Sequence, residues 1–336
     1  MTECVIFLSD DPNYPAALAL FGAAAPTPAP VPVPTPVPVP TPTPPPVTTQ
    51  GGLAAAVRAA AAGGTVTLAA GTYNESVAIG VPLTISGAGI GQTTDNAAGV
   101  ALTQSKAILV PTVPGCVISN MSLLNGRVGN GLGGNGCAVR DDGQGIGFTL
   151  KNVEVSGCEI GLLTFQSPIV ISGSFIHGNG NPGAPAGTHN IYVGGGTLLL
   201  TNSTVQNCTH EHEVKSRATT TTITGCTIGP TSGNGKCIDI PDGGTVSVSN
   251  TTLQLVANAN DRGFFDYGTE SLGNGYGSIT FTNVVFDSNG QQGLLIIGSL
   301  APNATMTFIG CTYKSQAPVI QGIAAGAVTG TITKAA

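Results

Sequence analysis

Charged residues are scarce in this sequence. Asp, Glu, Lys and Arg together make up 8% of the 336 residues, whereas ordinary globular proteins contain roughly 25%. The formal net charge is −6, and the sequence has no basic cluster of the kind that binds a phosphate backbone. We therefore predict no nucleic-acid partner.

Long hydrophobic runs are also missing. No apolar run reaches the roughly 18 residues of a membrane-spanning helix, so we predict no membrane insertion. The N-terminus lacks a basic region, and Asp10, Asp11 and Pro12 interrupt its apolar stretch, which argues against a secretory signal peptide. Tryptophan is absent, yet 41% of the residues are hydrophobic and 49 are glycine. This composition excludes a disordered chain and suits short stacked strands joined by tight turns.

The first 48 residues divide into two segments. We interpret residues 1–25 as a docking peptide that attaches to a larger body through apolar side chains, namely Val5, Ile6, Phe7, Leu8 and Phe21. Residues 26–48 hold half of the chain's 24 prolines. Proline at alternate positions removes backbone donors and fixes φ, so this tract predicts a polyproline II spacer.

The remainder of the chain, residues 49–336, repeats one short pattern. An apolar residue is followed after two positions by Asn or Gly, and after three more positions by a second apolar residue. Successive copies begin 21 to 33 residues apart, which is the length of one β-helix coil with its loops. Ile85 and Gly87 begin the series, and the complete copies are Ile118-Asn120-Leu123, Leu150-Asn152-Val155, Ile171-Gly173-Ile176, Leu200-Asn202-Val205, Ile223-Gly225-Ile228, Val248-Asn250-Leu253, Phe281-Asn283-Phe286 and Phe308-Gly310-Tyr313.

This repeat predicts an all-β fold, a single-stranded right-handed parallel β-helix of about nine coils. The apolar residues are expected to point into a shared core and to stack on their equivalents one coil away. The Asn or Gly residue is expected to form a corner in the left-handed region, which glycine enters freely and asparagine next best. Leu53–Ala59 is typical of a short helix, which we expect to cap the first coil and cover its unpaired edge.

The first coil resembles that of a known family. The segments GTVTL, GTY and LTISG follow the predicted helix in this order. The N-terminal cap and first coil of pectin-lyase-like β-helix proteins are similar, and the resemblance implies the same fold.

The eight cysteines form no CxxC pair, so we predict no zinc site, and we expect no other metal or cofactor. In the coil register, Cys158 and Cys208 occupy equivalent positions two coils apart, and Cys226 and Cys311 do so three coils apart. These separations exceed the reach of a disulfide. We therefore predict buried free thiols for most cysteines, whereas Cys4, in the docking peptide, is the candidate for an interchain disulfide.

Most of the charge gathers between residues 189 and 270. Tyr192 and Lys215 both lie eight positions before the first apolar residue of the next repeat copy, so we expect them to be neighbours on one face. Strand alternation is expected to place Lys215 and Arg217 on the same side.

The motifs in this region resemble those of a set of bacterial pectate-lyase-like β-helix proteins. HNIYV begins at His189, HEVKSRA at His212, IDIPDGG at Ile238 and YGTE at Tyr267. The usual form of the family has glycine where this sequence has Glu211. The resemblance covers about residues 50–315, and it implies contact with polysaccharide rather than one particular reaction.

Four uses of these residues remain open. In a lyase, Lys215 or Arg217 would act as the base, the other cation would stabilise the enolate, and Tyr192 would donate a proton. In a glycosidase, two carboxylates would flank the bond, and the candidates are Glu213, Asp239, Asp266 and Glu270. In a purely structural face, the same charges would form a ladder of ion pairs. In a non-catalytic glycan-binding protein, the candidate residues are His189, His212, Asp266, Tyr267 and Glu270.

A docking peptide, a spacer and a β-helix without a secretory signal resemble the arrangement of bacteriophage tailspikes, fibres and neck appendages. The resemblance implies a virion location, attachment to other virion proteins, a homotrimer, and contact with host cell-surface polysaccharide. The alternative is a secreted polysaccharide lyase or glycoside hydrolase that acts on an acidic polysaccharide.

Overall fold

Parallel strands stacked coil upon coil form the fold. A computed structural model describes residues 47–49, 52–231, 235–257, 261–301, 303–324 and 326–335. Each strand pairs in parallel with the equivalent strand of the next coil. The spacer residues 26–46 lie outside the described residues, as does the docking peptide with Cys4, Val5, Ile6, Phe7, Leu8 and Phe21.

One sheet holds ten strands, one from each coil. These strands are Val77–Ile79 (β4), Ala107–Pro111 (β7), Cys137–Arg140 (β9), Ile160–Thr164 (β11), Ile191–Val193 (β14), Val214–Ser216 (β17), Ile238–Ile240 (β20), Gly263–Tyr267 (β23), Leu294–Ile297 (β26) and Val319–Gln321 (β28).

The second sheet holds 19 strands, because most coils contribute two strands to it. These strands are Val47–Thr49 (β1), Gly64–Leu68 (β2), Gly71–Tyr73 (β3), Leu83–Ser86 (β5), Thr93–Asn96 (β6), Val117–Leu124 (β8), Phe148–Ser156 (β10), Ile169–Ser172 (β12), Phe175–His177 (β13), Thr197–Thr201 (β15), Thr204–Gln206 (β16), Thr220–Thr224 (β18), Thr227–Ile228 (β19), Thr245–Ser249 (β21), Thr252–Gln254 (β22), Ser278–Thr282 (β24), Val285–Asp287 (β25), Thr305–Lys314 (β27) and Val328–Lys334 (β29).

The described residues thus form a right-handed parallel β-helix, as predicted, with ten strands in the smaller sheet. The coil before the repeat series adds one to the expected nine, since Val66 of β2 pairs with Ile85 of β5. The pairing of β1 with β2 begins at Val47. The stacked strands therefore start two residues before the range 49–336 that the sequence suggested.

A left-handed corner separates the two strands that a coil contributes to the larger sheet. The predicted corner asparagines have φ between 48° and 55°, and three of the predicted glycines have φ between 58° and 68°. Side-chain amides connect neighbouring corners, since Asn152 Nδ2 donates to Asn120 Oδ1 over 2.9 Å and Asn283 Nδ2 donates to Asn250 Oδ1 over 3.1 Å. The corner prediction is confirmed at these positions, which are Asn120, Asn152, Gly173, Asn202, Gly225, Asn250, Asn283 and Gly310.

Gly87 is the exception among the predicted corners, because its φ is not in the left-handed region. A Cβ at this position would lie 2.3 Å from the Asn120 carbonyl oxygen and 2.7 Å from Thr93 Cβ. The left-handed prediction was therefore wrong here, and close packing rather than backbone conformation selects glycine.

A second left-handed corner follows the first by five residues in five coils. Asn125 of this corner also bonds to the preceding coil, since its Nδ2 donates to Asn96 Oδ1 over 2.9 Å. The predicted repeat did not include this column, although four of its five residues are Asn or Gly. The five corner residues are Asn125, Gly157, Gly178, Asn207 and Ser315.

The core is a column of apolar side chains that keeps the predicted register. Consecutive members pair directly, from Ile85 through Ile118 and Leu150 to Phe281 and Phe308. The aliphatic members are fully buried, and each such burial stabilises the fold by about 1.5–3 kcal/mol. The described cysteines are buried free thiols, which confirms the prediction for Cys116, Cys137, Cys158, Cys208, Cys226, Cys237 and Cys311.

A short helix, Leu53–Ala59 (α1), covers the start of the coils as predicted. The Glu75 carboxylate caps its N-terminus and accepts hydrogen bonds from the backbone N–H groups of Leu53 at 3.0 Å and Ala54 at 2.7 Å. A 3-10 turn, Asn130–Leu132, is the other helical element that the described ranges contain. Neither of these helices is long enough to cross a membrane.

Replacement of Asn152 tests the corner. Asn152→Ala removes the amide that bonds to Asn120 and leaves the corner to alanine, which enters the left-handed region less readily than asparagine. We therefore expect a loss of about 1–2 kcal/mol in the free energy of unfolding. Asn152→Gly keeps the backbone conformation available, and a smaller loss is expected. Urea unfolding measures both variants, and equal stability of Asn152→Ala and wild type would contradict a required left-handed corner.

Candidate functional site

A column of outward-facing side chains crosses four strands of the smaller sheet. Tyr192 of β14 pairs with Lys215 of β17, which pairs with Asp239 of β20, and Asp239 pairs with Asp266 of β23. The predicted neighbourhood of Tyr192 and Lys215 is therefore confirmed. Because strands one coil apart are separated by about 4.8 Å, these four polar side chains lie within reach of one another.

Lys215 lies between two carboxylates. Its Nζ is 3.2 Å from Asp239 Oδ2 and 2.6 Å from Glu270 Oε1. Burial opposes the charged form, but the two carboxylates outweigh it and raise the pKa of Lys215. The ammonium group is therefore protonated at neutral pH and cannot accept a proton there.

Arg217 connects Tyr192, the first member of the column, with the segments that follow β20 and β23. Its Nε donates to Tyr192 Oη over 3.1 Å, and its terminal nitrogens donate to Asp242 and Glu270. Burial opposes its charge, but the hydrogen bonds to Glu270 and Tyr192 raise the pKa of Arg217 further. Arg217 is consequently a fixed cation that orients Tyr192, and it does not serve as a base.

Two histidines stack beside the column with neutral rings. The ring centroids of His189 and His212 are 5.0 Å apart. Burial lowers the pKa of His189 to about 3 and that of His212 to about 2, and positive neighbours such as Lys215 add to both shifts. Each Nδ1 accepts a backbone N–H, from His212 at 3.3 Å and from Lys236 at 3.1 Å. The single proton of each neutral ring is therefore on Nε2.

The positions of the histidine protons argue against a metal ion bound by the adjoining group of His189, Glu211 and His212. The potential ligand atoms of this group lie within 4.8 Å of one another. The His189 and His212 Nε2 atoms are 3.8 and 3.7 Å from Glu211 Oε2. Ligation through Nε2 would require a proton on each Nδ1, which already accepts a backbone N–H. A metal would therefore break both hydrogen bonds, and these residues do not fit one.

Asp266, at the far end of the column, belongs to a second ion pair. Lys236 Nζ lies 3.4 Å from Asp266 Oδ2 and 2.8 Å from Asp261 Oδ2, while Asp266 Oδ1 is buried without a hydrogen-bond partner. Burial raises the pKa of Asp266 to about 7, and Asp239 and Asp261 oppose its charge further. Asp266 is thus a buried group of the sheet rather than an open contact.

Two candidates from the sequence lie away from the column. Glu213 is 0% exposed and accepts hydrogen bonds from the Cys208 backbone N–H at 3.0 Å and from the Asn190 amide. Burial raises its pKa to about 8. Tyr267 is also 0% exposed, and its hydroxyl donates to the Gly244 carbonyl oxygen over 2.8 Å. The catalytic hypothesis for Glu213 and the glycan-binding hypothesis for Tyr267 are therefore corrected, because burial prevents contact with a glycan.

A cavity of about 320 Å³ lies over the column. Tyr192, Lys215 and Arg217 line it, as do the carboxylates Glu211 and Glu270. Asp239, Asp266 and His212 do not line it. Its lining offers hydrogen-bond donors, acceptors and a half-buried aromatic ring, which is a set suited to sugar hydroxyl groups. The lining residues are Ala186, Gly187, His189, Tyr192, Glu211, Lys215, Arg217 and Glu270.

Sequence reasoning missed two residues that complete the site. Asp242, three positions after Asp239, holds Arg217 from a turn, and its place in the IDIPDGG motif was the available signal. Gly187 admits the side chain of Glu211, because a Cβ there would lie 2.1 Å from Glu211 Oε2. Its spacing from Glu211 along the chain gave no indication of this contact.

Comparison with solved structures agrees with the fold. Pectate lyase Pel9A matches with a TM-score of 0.56 and 14% identity over 82% of this chain and 73% of that chain. A pectin methylesterase in complex with a hexasaccharide matches at 0.33 and 12% over 82% and 76%, and the A-module of the Azotobacter vinelandii mannuronan C-5 epimerase AlgE6 at 0.34 and 13% over 84% and 93%. Only the first score is high enough to carry an argument.

No protein-family model matches the sequence, and no curated protein matches it. The likeness to Pel9A shows the pectin-lyase-like right-handed parallel β-helix and, at 14% identity, the fold alone.

The titration of Asp266 predicts a pH-dependent stability. Its pKa is raised in the folded state, so its contribution is fully present below about pH 4 and is lost as pH rises through about 7. We expect Asp266→Asn to gain unfolding free energy relative to wild type between these values, by at least about 1 kcal/mol. Urea unfolding from pH 4 to pH 8 measures the gain.

The variant Asp261→Asn serves as the control for this prediction. It removes the other carboxylate partner of Lys236 but leaves Asp266 able to titrate. Because Asp261 opposes the charge of Asp266, this control is expected to keep a smaller pH-dependent loss than wild type. A stability difference between Asp266→Asn and wild type that stays constant across the pH range would contradict the prediction.

Proposed function

We propose that this chain binds a cell-surface polysaccharide at the cavity beside Tyr192, Lys215 and Arg217. The supporting observation is the concentration of charge there, in a chain with 8% charged residues. The column and the cavity lining beside it gather two cations and several carboxylates, although uncharged Thr and Ser would satisfy the same strand positions. Such a set offers orienting hydrogen bonds to a sugar, and Tyr192 offers an aromatic surface.

Binding without cleavage fits the protonation states best. The lyase hypothesis needs Lys215 or Arg217 as a neutral base, but ion pairs hold both in the charged form. Neutral His189 and His212 carry their protons on Nε2 and use Nδ1 for backbone hydrogen bonds. The strong bases that proton abstraction from a uronate requires are therefore absent among these four residues.

Hydrolysis is the second candidate, because Asp239 and Glu270 contact the same cation, although Asp239 is 3% exposed and does not line the cavity. Asp239 Oδ2 and Glu270 Oε1 contact the same Lys215 Nζ at 3.2 and 2.6 Å, so the two oxygens are at most 5.8 Å apart, the sum of these distances. This upper bound admits the separation of about 5–5.5 Å that retaining glycosidases use between their two carboxyl groups. Burial raises the pKa of Asp239, with Lys215 opposing the shift, which suits the acid of such a pair.

Variants of the cavity wall test the binding proposal. We expect Arg217→Ala and Tyr192→Ala to weaken binding to the responsive member of a panel of acidic and neutral polysaccharides at least ten-fold, about 1.4 kcal/mol. The control Lys151→Ala removes an exposed cation from the larger sheet and is expected to bind as wild type does. Immobilised polysaccharides and surface plasmon resonance provide the measurement.

Analysis of the products after incubation with the same polysaccharides distinguishes binding, hydrolysis and lyase cleavage. Release of reducing ends that Asp239→Asn abolishes would support hydrolysis, and unsaturated uronate products would support the lyase hypothesis. Failure of wild type to bind any member of the panel, or unchanged binding by both wall variants, would contradict a glycan site at this cavity.

The proposal includes a virion location. It rests on the sequence of residues 1–48, where an apolar docking peptide precedes a proline-rich spacer. In this arrangement the β-helix is a homotrimeric tailspike, fibre or neck appendage, held by other virion proteins and directed at host polysaccharide. A secreted enzyme is the alternative.

Mass spectrometry of purified particles tests the location. We expect the chain to co-purify with them and residues 1–25 to be needed for this, and sedimentation of the isolated protein is expected to give a trimer. A monomer that is found only free in the medium would contradict the proposal.

A further inference from the structure

Glu270 occupies the two cations of the cavity as a bound carboxylate ligand would. Its Oε1 lies 2.6 Å from Lys215 Nζ, and its Oε2 accepts a hydrogen bond from Arg217. Each carboxylate oxygen therefore contacts one cation. Two cations that bracket a single carboxylate form a recognition site for that group, since charge-assisted hydrogen bonds are the strong ones.

Glu270 is the member of this cluster most easily removed. Its side chain is 46% exposed, against 9% for Lys215 and 22% for Arg217. Its backbone is fixed independently, because the N–H groups of Glu270 and Ser271 both donate to the Pro241 carbonyl oxygen, at 3.2 and 3.0 Å. Rotation of one exposed side chain is therefore enough to vacate both cations, and no backbone movement is required.

The cations keep other partners when Glu270 leaves. Lys215 retains Asp239 at 3.2 Å, and Arg217 retains Asp242 and the Tyr192 hydroxyl. These three partners are largely buried or half-buried, so they hold the cations in place. The vacated site is thus preorganised for a second carboxylate, which lowers the cost of binding one.

We infer that Glu270 is an internal competitor, which the carboxylate of an acidic sugar displaces from Lys215 and Arg217 when it binds in the cavity. The inference rests on the proposed glycan site and names its ligand class, a uronate or another sugar acid. A neutral sugar cannot displace Glu270, because it offers no charge to replace the two ion pairs. Glu270 thereby makes the cavity selective for acidic sugars.

The negative charge of the cavity lining also supports displacement over simple addition. Glu211 also lines the cavity, so an acidic sugar that entered beside an unmoved Glu270 would face two carboxylates. The carboxylate of the sugar and those of Glu211 and Glu270 would repel one another, because they carry like charges. If Glu270 were instead a direct glycan contact, as the sequence suggested, its removal would weaken binding. The two roles therefore predict opposite effects of one substitution.

The test compares sodium glucuronate with glucose, which differ only at C6. We expect Glu270→Gln to bind glucuronate at least ten-fold more tightly than wild type in a ligand-observed NMR titration, and its preference for glucuronate over glucose is expected to rise. Glu270→Ala is expected to change in the same direction, and adding Lys215→Met to Glu270→Gln is expected to abolish the gain. Thermal unfolding confirms that each variant is folded.

Asp287→Asn is the matched control. It neutralises an ion-paired carboxylate outside the cavity, 3.5 Å from Lys314 Nζ, and both sugars are expected to bind as to wild type. Equal or weaker binding of glucuronate by Glu270→Gln would overturn the inference. If the polysaccharide panel succeeds while this test fails, only the competitor role is wrong. A gain for glucuronate with a silent panel would leave the anion site standing and reject the polysaccharide proposal.

Discussion

The left-handed corner between the two strands of a coil sets the register of the whole stack. The corner occupies one residue at a constant offset from two apolar residues. The core side chains of each coil therefore occupy equivalent positions and stack on those of the neighbouring coils. Loops of different lengths then leave the stack without disturbing this register, as the steps from Leu150 to Ile171 and from Val248 to Phe281 illustrate. The outward column of the smaller sheet inherits its alignment from the same constraint.

Alignment of the column makes its charges interdependent. A single Lys at the position of Lys215 on a Thr-rich face would extend into solvent. Here the strand register places Asp239 directly beside it, and a loop from the next coil adds Glu270. Partial burial strengthens each interaction, so the cations and carboxylates fix one another's protonation states. The result is a rigid, largely neutralised polar surface, which suits recognition better than proton transfer.

Local rules account for the parts of this site that the sequence predicted. The offset rule located the corners, and equal distance from the anchors paired Tyr192 with Lys215. The alternation of Asp239 and Ile240 also assigns Tyr267 to the inside, since it pairs with Ile240, so its burial was predictable and was missed. Glu213 precedes its strand, where alternation does not fix side-chain direction. The reach of Glu270 and the histidine tautomers depend on loop paths and backbone donors, which no residue spacing encodes.

The relation between binding and catalysis at this site depends on which carboxylate leaves Lys215. Departure of Glu270 opens the cavity to an anionic sugar, but Asp239 stays 3.2 Å from the ammonium group. A bound uronate would replace the lost negative charge, so Lys215 would again lie between two carboxylates and remain protonated. The step that admits an acidic ligand therefore restores the condition that prevents Lys215 from acting as a base. Recognition of an acidic sugar needs a charged Lys215, whereas lyase chemistry needs a neutral one. The buried partner Asp239 keeps this lysine charged and therefore favours recognition.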